Sequence, residues 1–138
     1  MRKLLRLFLI LPIFLAACAS GEIKPVPIEA GDMCSFCKMA ISEKRFAAEI
    51  ITDDESVLKF DDVGCLLRYR RQAGDGLKSA AVYVTDYDSR EWLKADDAFF
   101  VKSGTIKTPM GSSIIAYGDK SKAGSESLRF DALSAPEK

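Results

Sequence analysis

Histidine is absent from all 138 residues of this chain. Its absence excludes imidazole as a general base, as the partner of a serine or cysteine nucleophile, and as a metal ligand. Surplus positive charge is also missing, because 20 acidic residues balance 20 basic ones. Nucleic acid binding depends on clustered Lys and Arg contacts to phosphate, so a nucleic acid partner is not expected. The chain also lacks any defensible catalytic triad, paired-carboxylate site or phosphate loop, and we predict a protein that is not an enzyme.

An N-terminal leader holds much of the apolar content. Arg2, Lys3 and Arg6 accompany a mostly apolar run over residues 4–15, about 12 residues where a membrane span needs about 20. The run ends in Leu-Ala-Ala-Cys at residues 15–18, which is similar to the bacterial lipobox, where cleavage leaves a lipidated cysteine. We predict a lipoprotein signal peptide over residues 1–17 and lipidation at Cys18. The alternative is an ordinary signal peptide with a cysteine beside its cleavage site.

A lipidated Cys18 predicts a membrane-anchored protein that faces the periplasm. Residue 19 is alanine rather than the aspartate that retains enterobacterial lipoproteins at the inner membrane, so in a Gram-negative organism we expect the outer membrane. Pro25, Pro27 and Gly31 predict a flexible tether over residues 18–31. One domain over residues 32–134 and a disordered tail over residues 135–138 complete the predicted layout.

Hydrophobic patterns in this domain predict an α+β fold with small antiparallel or mixed sheets. Strands are predicted over residues 45–52, 56–60, 80–85, 98–102 and 113–117, with a last short strand over residues 128–130. A helix should follow the second strand, because Asp61 or Asp62 supplies an N-cap, residues 63–67 carry an apolar stripe, and Gly74 supplies an end.

Sulfur is concentrated in one heptapeptide. Cys34 and Cys37 form a CxxC that Met33 and Met39 flank. Thiolate and thioether are soft ligands, and a site built from them without imidazole favours Cu(I). Structural zinc normally takes four Cys or His ligands, and only three cysteines remain once Cys18 is lipidated. The pattern therefore predicts a Cu(I) site at Cys34 and Cys37.

Two other roles of the CxxC remain open. It could serve thiol–disulfide redox chemistry, or it could form a disulfide in a non-catalytic structural lipoprotein. Redox motifs of the thioredoxin type follow a strand and open a helix, whereas Gly31 and Asp32 indicate a loop here. Cys65, inside the predicted helix, is interpreted first as a small buried apolar residue and only second as a ligand.

Met110 lies in a Thr-Pro-Met-Gly segment over residues 108–111. Proline and glycine favour a tight turn, which would present the thioether from a rigid loop. Met110 is therefore a candidate soft ligand in addition to the cysteines of the CxxC. Oxidation of Cys34 and Cys37 to a disulfide would then abolish binding.

Five motifs follow one another in the chain and resemble those of the NosL family. They are GDMCSFCKMAI (residues 31–41), FDDVGC (60–65), VTDY (84–87) with EW (91–92), DAFFV (97–101) and TPMG (108–111). NosL proteins are lipoprotein copper chaperones associated with maturation of nitrous oxide reductase. The resemblance implies Cu(I) binding by Cys34, Cys37, Met39 and Met110. It also implies hand-over to a periplasmic copper enzyme, such as nitrous oxide reductase, or to its assembly machinery.

The resemblance further implies two related ββαβ-type halves. A weak internal repeat in the sequence agrees with this, because Phe60 follows Met39 by 21 residues and Phe130 follows Met110 by 20 residues. Residues 119–127 are short and contain glycine where the family carries an alanine-rich helix. We therefore expect the second helix to be shortened or missing.

Overall fold

A computed structural model describes residues 21–134 of the chain. The predicted signal peptide (residues 1–17), the predicted lipidation site Cys18 and the predicted tail (residues 135–138) lie outside the described residues. Within the described part, no helix combines the length and the apolar character needed to cross a membrane.

Two antiparallel sheets confirm the predicted α+β class. The larger sheet has the order β2-β1-β3-β4, from β1 (Ala48–Thr52), β2 (Val57–Phe60), β3 (Ser79–Thr85) and β4 (Trp92–Lys94). The smaller sheet pairs β5 (Phe99–Lys102) with β6 (Ile114–Tyr117). The first strand starts later than predicted, because Lys44–Phe46 form a 3-10 turn. Strand β4 was not predicted, since three residues are too few to show alternation.

Helix α1 (Val63–Ala73) follows β2 as predicted. The Asp62 carboxylate caps its first turn, and Gly74 ends it with a positive φ of 56°. Its apolar side buries Leu66 against a core that includes Phe60 from the large sheet and Phe100 from the small one. The helix start is therefore fixed against both sheets.

The second half of the fold repeats the first in reduced form. In the first half β1 pairs with β2 and β3, and in the second β5 pairs with β6 and, through a single bridge, with Leu128. The helix between β6 and this bridge is α2 (Lys120–Ala123), a single turn. The expectation of a shortened second helix agrees with this arrangement.

The prediction of a last strand over residues 128–130 is wrong. Only Leu128 bridges to β5, and Phe130 opens helix α3 (Phe130–Ser134). The Phe130 ring packs into the core with its centroid 5.7 Å from that of Phe100. The weak internal repeat in the sequence also does not align the two halves of the fold, because Phe60 ends a strand whereas Phe130 begins a helix.

Residues 21–32, which we call the N-terminal strap, do not extend away from the domain. Ile28 is buried in the core, and Val26, Pro27 and Ile23 bond through their backbones to side chains of the large sheet. The described part of the predicted tether is thus packed against the fold, because an apolar side chain and three backbone groups find partners there.

Candidate metal site

Three free thiols meet at the junction of the CxxC loop and helix α1. The Sγ atoms of Cys34, Cys37 and Cys65 all lie within 4.8 Å of one another. Cys34 and Cys65 are fully buried, whereas Cys37 is partly exposed. The structure therefore places Cys65, which the sequence favoured as a core residue, beside the two predicted ligands. We call these residues the thiol trio.

The CxxC lies in a closed hairpin that is tied to β2. The Cys34 amide donates to the Met39 carbonyl at 2.8 Å, and the Lys38 amide donates to the Cys34 carbonyl at 3.0 Å. Lys38 takes a left-handed backbone conformation with φ 62°, which is uncommon for a residue with a side chain. The Ser35 amide donates to the Lys59 carbonyl at 2.7 Å. These bonds fix where the two cysteines of the loop face the domain.

Cys65 reaches the trio from the first turn of α1. Its amide donates to Asp62 Oδ1 at 2.8 Å, the N-cap bond of the helix. Because β2 ends at Phe60, only Asp61 and Asp62 separate the strand from the helix. The short connection explains why a helical cysteine lies next to a loop that is hydrogen-bonded to the same strand.

One of the three thiols is strongly acidified. A hydrogen bond from the Cys65 thiol, joined by bonds from the amides of Cys37, Asp61 and Phe36, lowers the pKa of Cys34 to about 5. The same contact with Cys34 raises the pKa of Cys65, and burial raises the pKa of Cys37. At neutral pH the trio therefore consists of one thiolate and two thiols.

Carboxylates add negative charge beside this thiolate. Asp61 is buried, and burial together with the Cys34 charge raises its pKa to about 6. Among the described residues its Oδ1 atom has no hydrogen-bond partner. Asp62 is fully buried next to it. The site thus gathers acidic groups that a bound cation would stabilise.

The turn that carries Met110 is attached to the same helix start. Asp62 Oδ2 accepts hydrogen bonds from Thr108 Oγ1 at 2.5 Å, Ser112 Oγ at 3.0 Å and the Met110 amide at 3.3 Å. The Met110 side chain is partly buried against the core cluster to which Cys34 and Cys65 belong. The structure therefore attaches the predicted thioether turn to the start of the helix that carries Cys65.

Gly64 allows this close approach. A Cβ atom at Gly64 would lie 2.4 Å from Ser112 Cβ, far inside van der Waals contact. The residue that precedes Cys65 must therefore lack a side chain for the Met110 turn to pack against α1.

Met39 occupies a different environment. Its carbonyl closes the CxxC hairpin, but its side chain is 51% exposed, and that of Met33 is 54% exposed. The hairpin bond holds the Met39 backbone next to that of Cys34. Its predicted role as a ligand stays a prediction.

Sequence reasoning ranked Cys65 only second as a ligand and did not predict the contact between Asp62 and the Met110 turn. Cys65 was visible in the FDDVGC motif, but a single cysteine in an apolar helix stripe has no periodic signal that separates a ligand from a core residue. Asp62 was predicted as a possible cap. Its second oxygen binds a turn that lies 46 to 50 residues further along the chain, and no local pattern marks such a contact.

The chain is similar to known proteins in both sequence and fold. The family model named NosL matches residues 25–127. The copper-binding lipoprotein NosL of Stutzerimonas stutzeri is 25% identical over 127 residues, which cover 81% of this chain and 67% of that protein. The crystal structure of the copper chaperone NosL from Shewanella denitrificans superimposes with a TM-score of 0.69 at 23% identity, over 78% of this chain and 93% of that one. The family match covers the strap from residue 25 onward, the thiol trio and the Met110 turn, and the chain therefore belongs to the NosL family.

Proposed function

We propose that this protein is a copper chaperone that carries Cu(I) on the thiol trio, with Met110 as a thioether ligand. The observation that supports this most is the convergence of Cys34, Cys37 and Cys65 within 4.8 Å of one another in a chain without histidine. The name of the Stutzerimonas stutzeri relative, a copper-binding lipoprotein, supports the same cargo.

The donor set favours a soft monovalent ion over zinc. Thiolates and thioethers prefer Cu(I), which accepts low coordination numbers. Closed zinc sites take four Cys or His ligands, whereas the described residues bring together three thiols and no imidazole. Copper is the cargo of this site, so its ligands must hold it and also release it.

Proton release should accompany loading. Cys34 is already a thiolate at neutral pH, whereas Cys37 and Cys65 hold their protons. Metal binding to thiols requires their deprotonation. Loading at all three sulfurs therefore frees the protons of two thiols, and Cys34 is the sulfur that is ready for the first contact.

Exposure indicates where hand-over takes place. Cys34 and Cys65 are fully buried, so an incoming ligand from a partner first reaches copper on the side of Cys37. Met39 and Met33, which flank the two cysteines in sequence, are both exposed. A partner thiolate or imidazole that replaces Cys37 would then draw the ion off stepwise.

Anchoring and destination complete the proposal. The lipobox-like residues 15–18 support a lipoprotein held through Cys18 and facing the periplasm, at the outer membrane in a Gram-negative organism. The family resemblance supports a periplasmic copper enzyme as the recipient, with nitrous oxide reductase or its assembly machinery as the first candidate.

A thiol–disulfide oxidoreductase is the second candidate, and the acidified Cys34 thiol favours it. Such an enzyme attacks its substrate with an accessible thiolate, whereas Cys34 is fully buried. Insulin reduction by the reduced domain separates the two functions, because a copper carrier should leave insulin intact.

The direct test is an anaerobic competition titration with a colorimetric Cu(I) chelator. Wild-type protein should bind one Cu(I) per chain, and Cys37→Ser and Met110→Leu should each weaken binding. Met33→Leu is the matched control, since Met33 is an exposed thioether of the same loop. Wild-type affinity in both site variants would refute the proposed site.

A further inference from the structure

Four polar side chains form one row across the whole large sheet. Glu49 on β1 lies opposite Lys59 on β2 and Tyr83 on β3, and Tyr83 lies opposite Lys94 on β4. Directly paired residues of neighbouring strands project from the same face of a sheet. We call Lys59, Glu49, Tyr83 and Lys94 the polar row.

Each member of the polar row holds a different point of the N-terminal strap. The contacts follow the strand order: Lys59 Nζ donates to the Pro27 carbonyl at 2.9 Å, Glu49 Oε1 accepts from the Val26 amide at 2.8 Å, the Tyr83 hydroxyl donates to the Ile23 carbonyl, and Lys94 pairs with Glu22 at 3.1 Å. The strap therefore crosses the sheet from β4 to β2 as it approaches the CxxC.

The centre of the polar row is buried. Glu49 is fully buried, and among the described residues its Oε2 atom has no hydrogen-bond partner. A buried carboxylate is costly unless its hydrogen bonds are made. An apolar residue would fill this position of β1 at lower cost. The Glu49 carboxylate accepts the hydrogen bond of the Val26 amide in the strap, and only a hydrogen-bond acceptor at this position can bind that amide.

Lys59 connects the strap to the metal site. Besides Pro27, its ammonium group binds the Asp32 carboxylate at 2.5 Å, and its backbone carbonyl accepts the Ser35 amide at 2.7 Å. Its side chain is only 15% exposed. Asp32 also receives the Ile41 amide on its carbonyl at 2.9 Å, just beyond the end of the CxxC hairpin. One lysine thus holds the strap before the cysteines and the turn that contains them.

We propose that the polar row and the strap are a positioning element of the thiol trio. The row docks the strap on the sheet, and the docked strap delivers Asp32 to Lys59, so both sides of the CxxC hairpin are held before copper arrives. The polar row acts on the thiols through the strap and the hairpin backbone, so its members are positioning residues rather than ligands. The consequence for copper rests on the proposed function, whereas the consequence for loop order does not.

Loop order is measured first, on the metal-free reduced protein. The variant is the double substitution Lys59→Met with Tyr83→Phe, which removes three strap contacts, those to Pro27, Asp32 and Ile23, and keeps the bulk of both side chains. Lys102→Met with Tyr117→Phe is the matched control in the small sheet. We expect hydrogen exchange of the Val26 and Ser35 amides to accelerate at least tenfold in the first variant. Alkylation of Cys37 should also change rate, and the control should match wild type in both measurements.

A second measurement keeps the two proposals apart. If the double variant does not fold, the single substitution Tyr83→Phe carries the same readouts. Cu(I) affinity should fall in the double variant, and Lys59→Arg, which keeps a cation, should retain wild-type exchange and affinity. Faster exchange at Val26 with unchanged Ser35 exchange and Cys37 reactivity would overturn the positioning role. Failure of wild-type protein to bind Cu(I) would overturn the proposed function alone.

Discussion

The Met110 amide donates a hydrogen bond to the Asp62 carboxylate at 3.3 Å, across 48 residues of sequence. The other oxygen of the same carboxylate caps the helix turn that contains Cys65. One buried side chain therefore sets the position of a thiol and of a thioether turn together. A substitution that disturbs this contact between α1 and the Met110 turn should therefore shift the positions of both sulfurs.

Gly64→Ala tests the packing between α1 and the Met110 turn. Replacing glycine inside a helix by alanine normally stabilises a protein by about 0.5–1 kcal/mol. Here the new methyl group would overlap Ser112, so we expect a loss of about 1–3 kcal/mol, as for overpacking. Urea unfolding measures the change. Gly76→Ala is the control, since its Cβ meets nothing within 4 Å, and equal effects in both variants would contradict the packing argument.

Met110→Leu separates thioether coordination from packing. Leucine has nearly the volume of methionine, so the cost in stability should stay below about 1.5 kcal/mol. We expect Cu(I) affinity to fall about tenfold, or about 1.4 kcal/mol, because one soft ligand is lost. A chelator competition titration gives the affinity. An unchanged dissociation constant would remove Met110 from the ligand set.

Cys65→Ala tests the residue that the sequence did not favour as a ligand. Loss of a ligand should lower Cu(I) affinity by at least tenfold. The substitution also removes the thiol that donates to Cys34 and is the main cause of its low pKa, so the pKa of Cys34 should rise. If the variant keeps both the wild-type Cu(I) affinity and the wild-type pKa of Cys34, the role of Cys65 is purely structural.

The reduced wild-type protein should show one thiolate at neutral pH. The pKa of Cys34 is held at about 5, while those of the other two thiols are raised. Ultraviolet thiolate absorbance should therefore appear as the pH rises through about 5. Cys34→Ser should remove this transition, whereas Cys37→Ser should retain it. A first transition only in the alkaline range would show that Cys34 is not acidified.

Glu49→Gln should change how stability depends on pH. Burial raises the pKa of Glu49 from 4.5 to about 7, so between these values the folded protein keeps a proton that the unfolded chain has lost. Stability from this group is therefore complete below pH 4.5 and is lost as the pH rises through about 7. Glutamine does not titrate, so the stability of the variant relative to wild type should increase across this interval. Urea unfolding at a series of pH values measures it, and parallel curves would refute the assignment.

The sequence alone determined the parts of this protein that depend on neighbouring residues. Composition excluded imidazole chemistry, the spacing of Cys34 and Cys37 with their flanking methionines indicated a soft-metal loop, and local capping rules located helix α1. The ordered motifs indicated the family, which the comparison confirmed over residues 25–127.

Only the tertiary structure decided which distant groups share a site. Cys65 joins Cys34 and Cys37 because a two-residue connection folds α1 back onto β2. The Met110 turn packs against the start of α1 because Asp62 has a second oxygen and Gly64 has no side chain. The strap became part of the domain in the same way, since Pro25 and Gly31 suit a tether and a docked segment equally. Hydrogen bonds and packing between residues far apart in sequence leave no periodic trace in the chain, and only the folded backbone brings their partners together.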